Sequence, residues 1–159
     1  MKSSRLLLVF LFLIGLSLCP LGAKAWEAKS GEAVNIAKDQ TIDGNLYFSG
    51  QAVNIDGHVI GDVIGVGQSV QINGQVDGDV IVLGQDLRCN GSIGGSLRAA
   101  ASNLTINGQI SHNLTAFASG ITLGESSNIG WDAVIAGARA ALDDITAPPA
   151  RTTANSCHT

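Results

Sequence analysis

Residues 61–77 read Gly61-Asp62-Val63-Ile64-Gly65-Val66-Gly67-Gln68-Ser69-Val70-Gln71-Ile72-Asn73-Gly74-Gln75-Val76-Asp77, and residue 78 begins Gly78-Asp79-Val80-Ile81. Shifted by 17 residues, the first stretch falls on the second, Gly61-Asp62-Val63 on Gly78-Asp79-Val80 and Asn73-Gly74 on Asn90-Gly91. A period of that length marks a repeat architecture and takes precedence over local patterns. On either side the Asx-Gly step recurs as Asp56-Gly57 and Asn107-Gly108, and the unit start as Gly44, Gly95 and His112, with Trp131 following after 19 residues. Towards the amino terminus, Ser30-Gly31-Glu32-Ala33-Val34-Asn35-Ile36 matches Ser49-Gly50-Gln51-Ala52-Val53-Asn54-Ile55, again 19 residues on. About seven units of 17–19 residues therefore run from residue 26 to Leu142.

Apolar residues keep the same places in each unit. Two positions after the start stand Leu46, Val63, Val80, Leu97 and Leu114; nine after it Val53, Val70, Leu87, Leu104 and Ile121; eleven after it Ile55, Ile72, Cys89, Ile106 and Leu123; and fifteen after it Val59, Val76, Ile93 and Ile110. Alternation such as Val70-Gln71-Ile72 is a strand signal with one face buried, and each unit reads as three short strands separated by turns. Asx-Gly is also a hairpin signal, so an antiparallel meander competes. A meander tolerates unequal loops, whereas stacking of like positions enforces one coil length. The constant period predicts an all-β, single-stranded parallel β-helix whose seven coils form a rod about 34 Å long at ~4.8 Å per coil.

Composition agrees with that geometry. Hydrophobic residues make up 45% of the 159 residues, aromatics 4% and charged residues 14%, so the core must come from small aliphatic side chains. Charge this low and Val, Ile and Leu this frequent exclude a disordered chain. Glycine, present 20 times, is expected to supply positive φ at the corners. Proline, which removes a ladder donor, is absent between Pro20 and Pro148.

The amino terminus reads as an export address. Lys2 and Arg5 precede an apolar run from Leu6 to Cys19, and Ala23-Lys24-Ala25 places small residues before a cleavage point at Trp26. The run is shorter than the roughly 20 residues that span a bilayer, and Leu18 stands where a lipoprotein signal has a small residue before Cys19. Residues 1–25 are thus assigned as a signal peptide, 26–142 as the β-helix, and 143–159, with Pro148-Pro149, as an irregular tail. Removing Lys2, Arg5 and Lys24 from the nine Lys and Arg leaves six against 13 Asp and Glu, a charge near −7, and disfavours nucleic acid as a partner. Of the remaining cysteines, Cys89 takes an Ile/Leu place and is expected to be buried, while Cys157 lies in the tail.

Reactive residues give no site by their spacing. Asp62 and Asp79 share one repeat position, with Asp77 nearby, and such carboxylates can build acid/base or calcium sites. Their column continues as Asn45, Ser96 and Asn113, however, which reads as a polar corner. His58, His112 and His158 have no metal-ligand spacing, and no nucleophile elbow or phosphate loop is present. Asn90, Asn103 and Asn113 head glycosylation sequons in a repeat already rich in Asn and Thr. No catalytic, cofactor-binding or metal residue is assigned, and no cofactor is expected. Tyr47, Phe48, Phe117 and Trp131 lie outside the three middle coils, which points either to caps on the core or to end-to-end association.

The Gly-Asp-Val starts and the Val70-Gln71-Ile72-Asn73-Gly74-Gln75-Val76 pattern, within residues 30–142, resemble the bactofilins, polymer-forming bacterial cytoskeletal proteins. The resemblance implies a right-handed β-helix, head-to-tail polymerisation without nucleotide, and a noncatalytic scaffold role in the cell envelope. Its implied partners are further copies of the chain and envelope or membrane components. The export signal departs from the cytoplasmic family and places the chain with exported, periplasmic or extracellular, polymer-forming proteins. Ile129-Gly130 and Val134-Ile135-Ala136-Gly137-Ala138 resemble instead the hexapeptide repeat of left-handed β-helix acyltransferases, against which the period of 17 counts. A carbohydrate-binding β-helix would need an aromatic or Asp/Asn row on one face, and the outward positions read as Gln, Ser, Thr and Asn.

Overall fold

The computed structural model describes residues 26–142, so the proposed signal peptide and the tail, with Cys19, Cys157 and His158, lie outside the described residues. Thirteen strands and no helix make up this part. Seven are long: β1 (Trp26–Ile36), β3 (Asn45–Ile55), β5 (Val63–Ile72), β7 (Val80–Cys89), β9 (Leu97–Ile106), β11 (Leu114–Leu123) and β13 (Ala133–Leu142). Between them lie strands of two residues: β2 (Thr41–Ile42), β4 (His58–Val59), β6 (Gln75–Val76), β8 (Ser92–Ile93), β10 (Gln109–Ile110) and β12 (Asn128–Ile129). The long strands form one sheet in chain order and the short ones a second. Every pairing is parallel, Val63 beside Val80 and Ile72 beside Cys89, which rules out the meander and establishes a β-solenoid of about seven coils.

The three expected strands per coil are two in hydrogen bonding. In β5, Val63, Gly67, Val70 and Ile72 are buried. The change of phase between Gly67 and Val70 turns two successive residues, Gln68 and Ser69, outward, and this is the first corner. Only Gln68 leaves the ladder, as do Gln51 and Gln85 in the neighbouring coils. Because the backbone stays extended around this corner, the ladder resumes at once and the first two faces belong to one strand.

Inside, the columns stack like on like. Val63, Val80, Ile72, Val76, Ile93 and Ile106 are fully enclosed, each stabilising the rod by roughly 1.5–3 kcal/mol of apolar burial. One column instead varies in size, reading Phe48, Gly65, Val82, Ala99, Ala116. Phe48 is buried, contrary to its expected place among end-cap aromatics, and its ring lies against the Cα of Gly65 in the next coil, where a Cβ would strike it. The large ring of one coil is accommodated by the absent side chain of the next.

The expected positive φ is found at the corner glycine Gly44, but most of the glycines serve another purpose. Among the described glycines positive φ occurs only at Gly31 and Gly44. Gly57, Gly74, Gly91 and Gly108 are needed because their backbones stack directly, and a Cβ on Gly74 would overlap the carbonyl oxygen of Gly57. That contact is part of the rod's backbone network: the Gly74 N–H donates to the Ile55 carbonyl at 2.9 Å, and the Gln75 N–H to the Gly57 carbonyl at 3.1 Å.

The two intervals of 19 residues also have a common origin. In the first coil the Gln40 N–H closes a turn on the Ala37 carbonyl at 2.9 Å, and in the sixth the Ser127 N–H closes one on the Gly124 carbonyl at 2.9 Å. Both turns begin at the place that Asp56, Asn73, Asn90 and Asn107 occupy in the four coils between them.

Candidate interaction surfaces

The carboxylates that could have formed a site are used to join coils. Asn45 Oδ1 accepts the backbone N–H of Asp62 at 2.9 Å, Asp62 Oδ1 that of Asp79 at 2.8 Å, Asp79 Oδ1 that of Ser96 at 2.7 Å, and Asn113 Oδ1 that of Asp132 at 3.2 Å. Asp79 Oδ2 also meets Arg98 at 3.0 Å. The Ser96 N–H, then the Arg98 guanidinium, hold the Asp79 carboxyl below its ordinary pKa. Asp77 points elsewhere, to Gln75 Nε2 at 2.7 Å and His58 Nε2 at 2.9 Å, which lower its pKa in that order. The three carboxylates therefore do not converge. Among the described residues no three His, Cys, Asp or Glu side chains lie close enough together to hold a metal ion.

A side-chain ladder at the next corner was not evident from the sequence. Asn73 Nδ2 donates to Asp56 Oδ1 at 2.8 Å, Asn90 Nδ2 to Asn73 Oδ1 at 2.8 Å, and Asn107 Nδ2 to Asn90 Oδ1 at 2.9 Å. Asx at a strict period was its signal, read there only as a turn preference. Nearby, Cys89 is buried as expected, and burial pushes its thiol pKa up to about 12. His112 is stacked on Trp131 with ring centroids 4.5 Å apart.

The exposed aromatics project from the sides of the rod and do not cap its ends. Trp26 meets Tyr47 edge to face at 6.2 Å, and both are exposed, as are Phe117 and Trp131. At the ends, β1 and β13 are the outer strands of the long sheet. Val34 and Ile36 of β1 continue the apolar columns of the second face. On the first face, in register with Leu46 and Phe48, stand Glu27 and Lys29, paired at 3.4 Å. Charge on the core side of an edge strand hinders strand addition there.

The outward residues of the first face differ from the Gln, Ser, Thr and Asn expected. Those polar types hold on the second face, at Asn54, Gln71 and Thr105. On the first, Tyr47, Val66, Ile81, Leu83, Phe117 and Val134 are large, apolar and exposed, Phe117 to 55%. Between Leu83 and Phe117 a shallow depression of about 210 Å³ opens over Ala99 and Ala100. In comparisons with known proteins, no family model matches the chain, and neither a curated protein nor a solved structure matches it.

Proposed function

We propose that the protein is a noncatalytic structural element of a bacterial cell envelope, exported by its amino-terminal signal and associating with further copies of itself through the ends of the solenoid. The observation that carries this reading is the open stack. The Val34 and Ile36 columns reach the outer strand β1 in the same register that they keep inside the rod. An added coil would meet the same ladder and the same columns. The Glu27–Lys29 pair confines such a joint to the second and third faces.

Two further observations support it. Asp62, Asp79 and Asp77, the strongest candidates for chemistry, are occupied in joining coils or in surface pairs. The repeat resembles that of the bactofilins, whose polymers need no nucleotide. Electron microscopy and sedimentation of the purified protein test the reading. Filaments or end-joined oligomers that grow with concentration are expected, and rods that never join end to end at any concentration or salt would overturn it. Turnover of an acyl-CoA or a polysaccharide would revive the enzymatic alternative.

A further inference from the structure

We propose that the apolar first face is the contact surface of a lateral, antiparallel pair formed by two copies of this chain. This goes beyond the end-to-end association above and does not depend on it. The face extends over six coils, from Tyr47 to Val134. Its exposed apolar area, roughly 600 Å², is as large as the largest patch that a soluble monomer ordinarily leaves open. The pair described below overlaps four of these coils, the fourth to the seventh, and so buries roughly 800 Å² in total, the size of a weak, reversible contact.

The relief of the face indicates what covers it. One outward column reads Ser49, Val66, Leu83, Ala100, Phe117, Ala136, and over its last four coils it alternates large and small. A two-fold axis along the strand direction, between the fifth and sixth coils, exchanges Phe117 with Ala100 and Leu83 with Ala136. Each large side chain then lies on a small one of the other copy, and Phe117 enters the depression above Ala100. In the neighbouring column the same axis places Ile81 on Val134. Side-by-side rods running in the same direction, turned about an axis along the rod, bring coils of the same number together and lose this large-on-small match.

Charge argues for the same occupant. Arg98 is the one charged residue in these two outward columns, and its guanidinium is bound to Asp79 at 3.0 Å. A membrane-binding surface of this kind normally carries Lys and Arg around its apolar centre, whereas the chain carries a net charge of −4. A self-complementary face whose single charge is already paired with Asp79 suits a second copy better than an anionic bilayer.

Sedimentation equilibrium of the purified protein should show a discrete dimer with a dissociation constant on the order of 100 micromolar. Phe117→Ala and Ala100→Phe should each weaken it at least about tenfold. The double variant Ala100→Phe/Phe117→Ala should recover it, because the two-fold axis exchanges the two positions. Both side chains face outward, and an unchanged melting temperature verifies that each variant folds. Where filaments form, they should be two rods wide, and one rod wide in Phe117→Ala. A monomer at every concentration, a dimer indifferent to both single changes, or a double variant without recovery would overturn the pairing. So would single-rod filaments, which would leave the end joint intact, or Phe117-dependent binding to phosphatidylcholine vesicles in place of a dimer.

Discussion

The carboxylate of Asp79 accepts the backbone N–H of Ser96 at 2.7 Å, linking one coil to the same place in the next. Asn45 and Asn113 provide the same bond with an amide oxygen. Asp79→Asn should therefore preserve it and cost no more than about 1 kcal/mol, the value of an exposed ion pair such as that with Arg98. Asp79→Ala leaves the N–H of the buried Ser96 without that acceptor and should cost about 1–3 kcal/mol. Urea unfolding of the two variants separates the outcomes, and equal losses would refute the role assigned to the oxygen.

Acid should destabilise the rod through the same residue. Asp79, and Asp77 with its Gln75 and His58 partners, have carboxyl pKa values below the ordinary 3.8. A group whose pKa is lowered by folding stabilises the folded state fully above the unfolded value, and this is lost as pH falls through the lower folded value. The melting temperature should thus hold steady near neutrality and decline below about pH 4. The decline should be smaller in Asp79→Asn, and the effect modest, because both carboxylates are well exposed to solvent.

Glycines in the repeat should differ sharply in tolerance. At Gly74 a methyl group would overlap the Gly57 carbonyl, and Gly74→Ala should cost about 3 kcal/mol or more. At Gly120 the nearest atom to a new Cβ, Asn103 Oδ1, is 3.4 Å away, so Gly120→Ala should be neutral or stabilise by up to about 1 kcal/mol. Thermal unfolding of the pair checks the contrast.

Cys89 should be chemically silent in the folded protein. With a thiol pKa of about 12 and the side chain enclosed, almost no accessible thiolate exists at neutral pH. In a variant with Cys19 and Cys157 replaced by Ser, modification by a thiol reagent should proceed only as fast as the rod opens, and rapidly in urea. Fast labelling of the native protein would contradict the buried position.

Much of the fold was legible because a solenoid writes its geometry as a period. Val63 and Val80 occupy equivalent places in sequence because they are neighbours in space, and the inward columns followed directly. Less visible was whatever depends on the contact between coils. The Asn73–Asn90 ladder and the Gly74 overlap are made across the stack, so local preferences suggested turns and positive φ instead. Phe48 looked like an end residue until Gly65 was seen beneath its ring. The apolar outward face was hidden for a different reason. Val63-Ile64-Gly65-Val66-Gly67 is apolar throughout, so alternation, which marks inside from outside elsewhere, is absent there.

The turns at Ala37–Gln40 and Gly124–Ser127 lie on either side of four coils of equal length, joined by the same backbone and side-chain bonds. Apart from the Phe48–Gly65 contact between the second and third, those coils are interchangeable units. Loss or duplication of one, for instance residues 78–94, would leave both flanking turns and all remaining registers unaltered, shortening or extending the rod by about 4.8 Å. Copy number is thus a ruler within the gene: the molecule can change its reach in fixed steps without redesign of its ends.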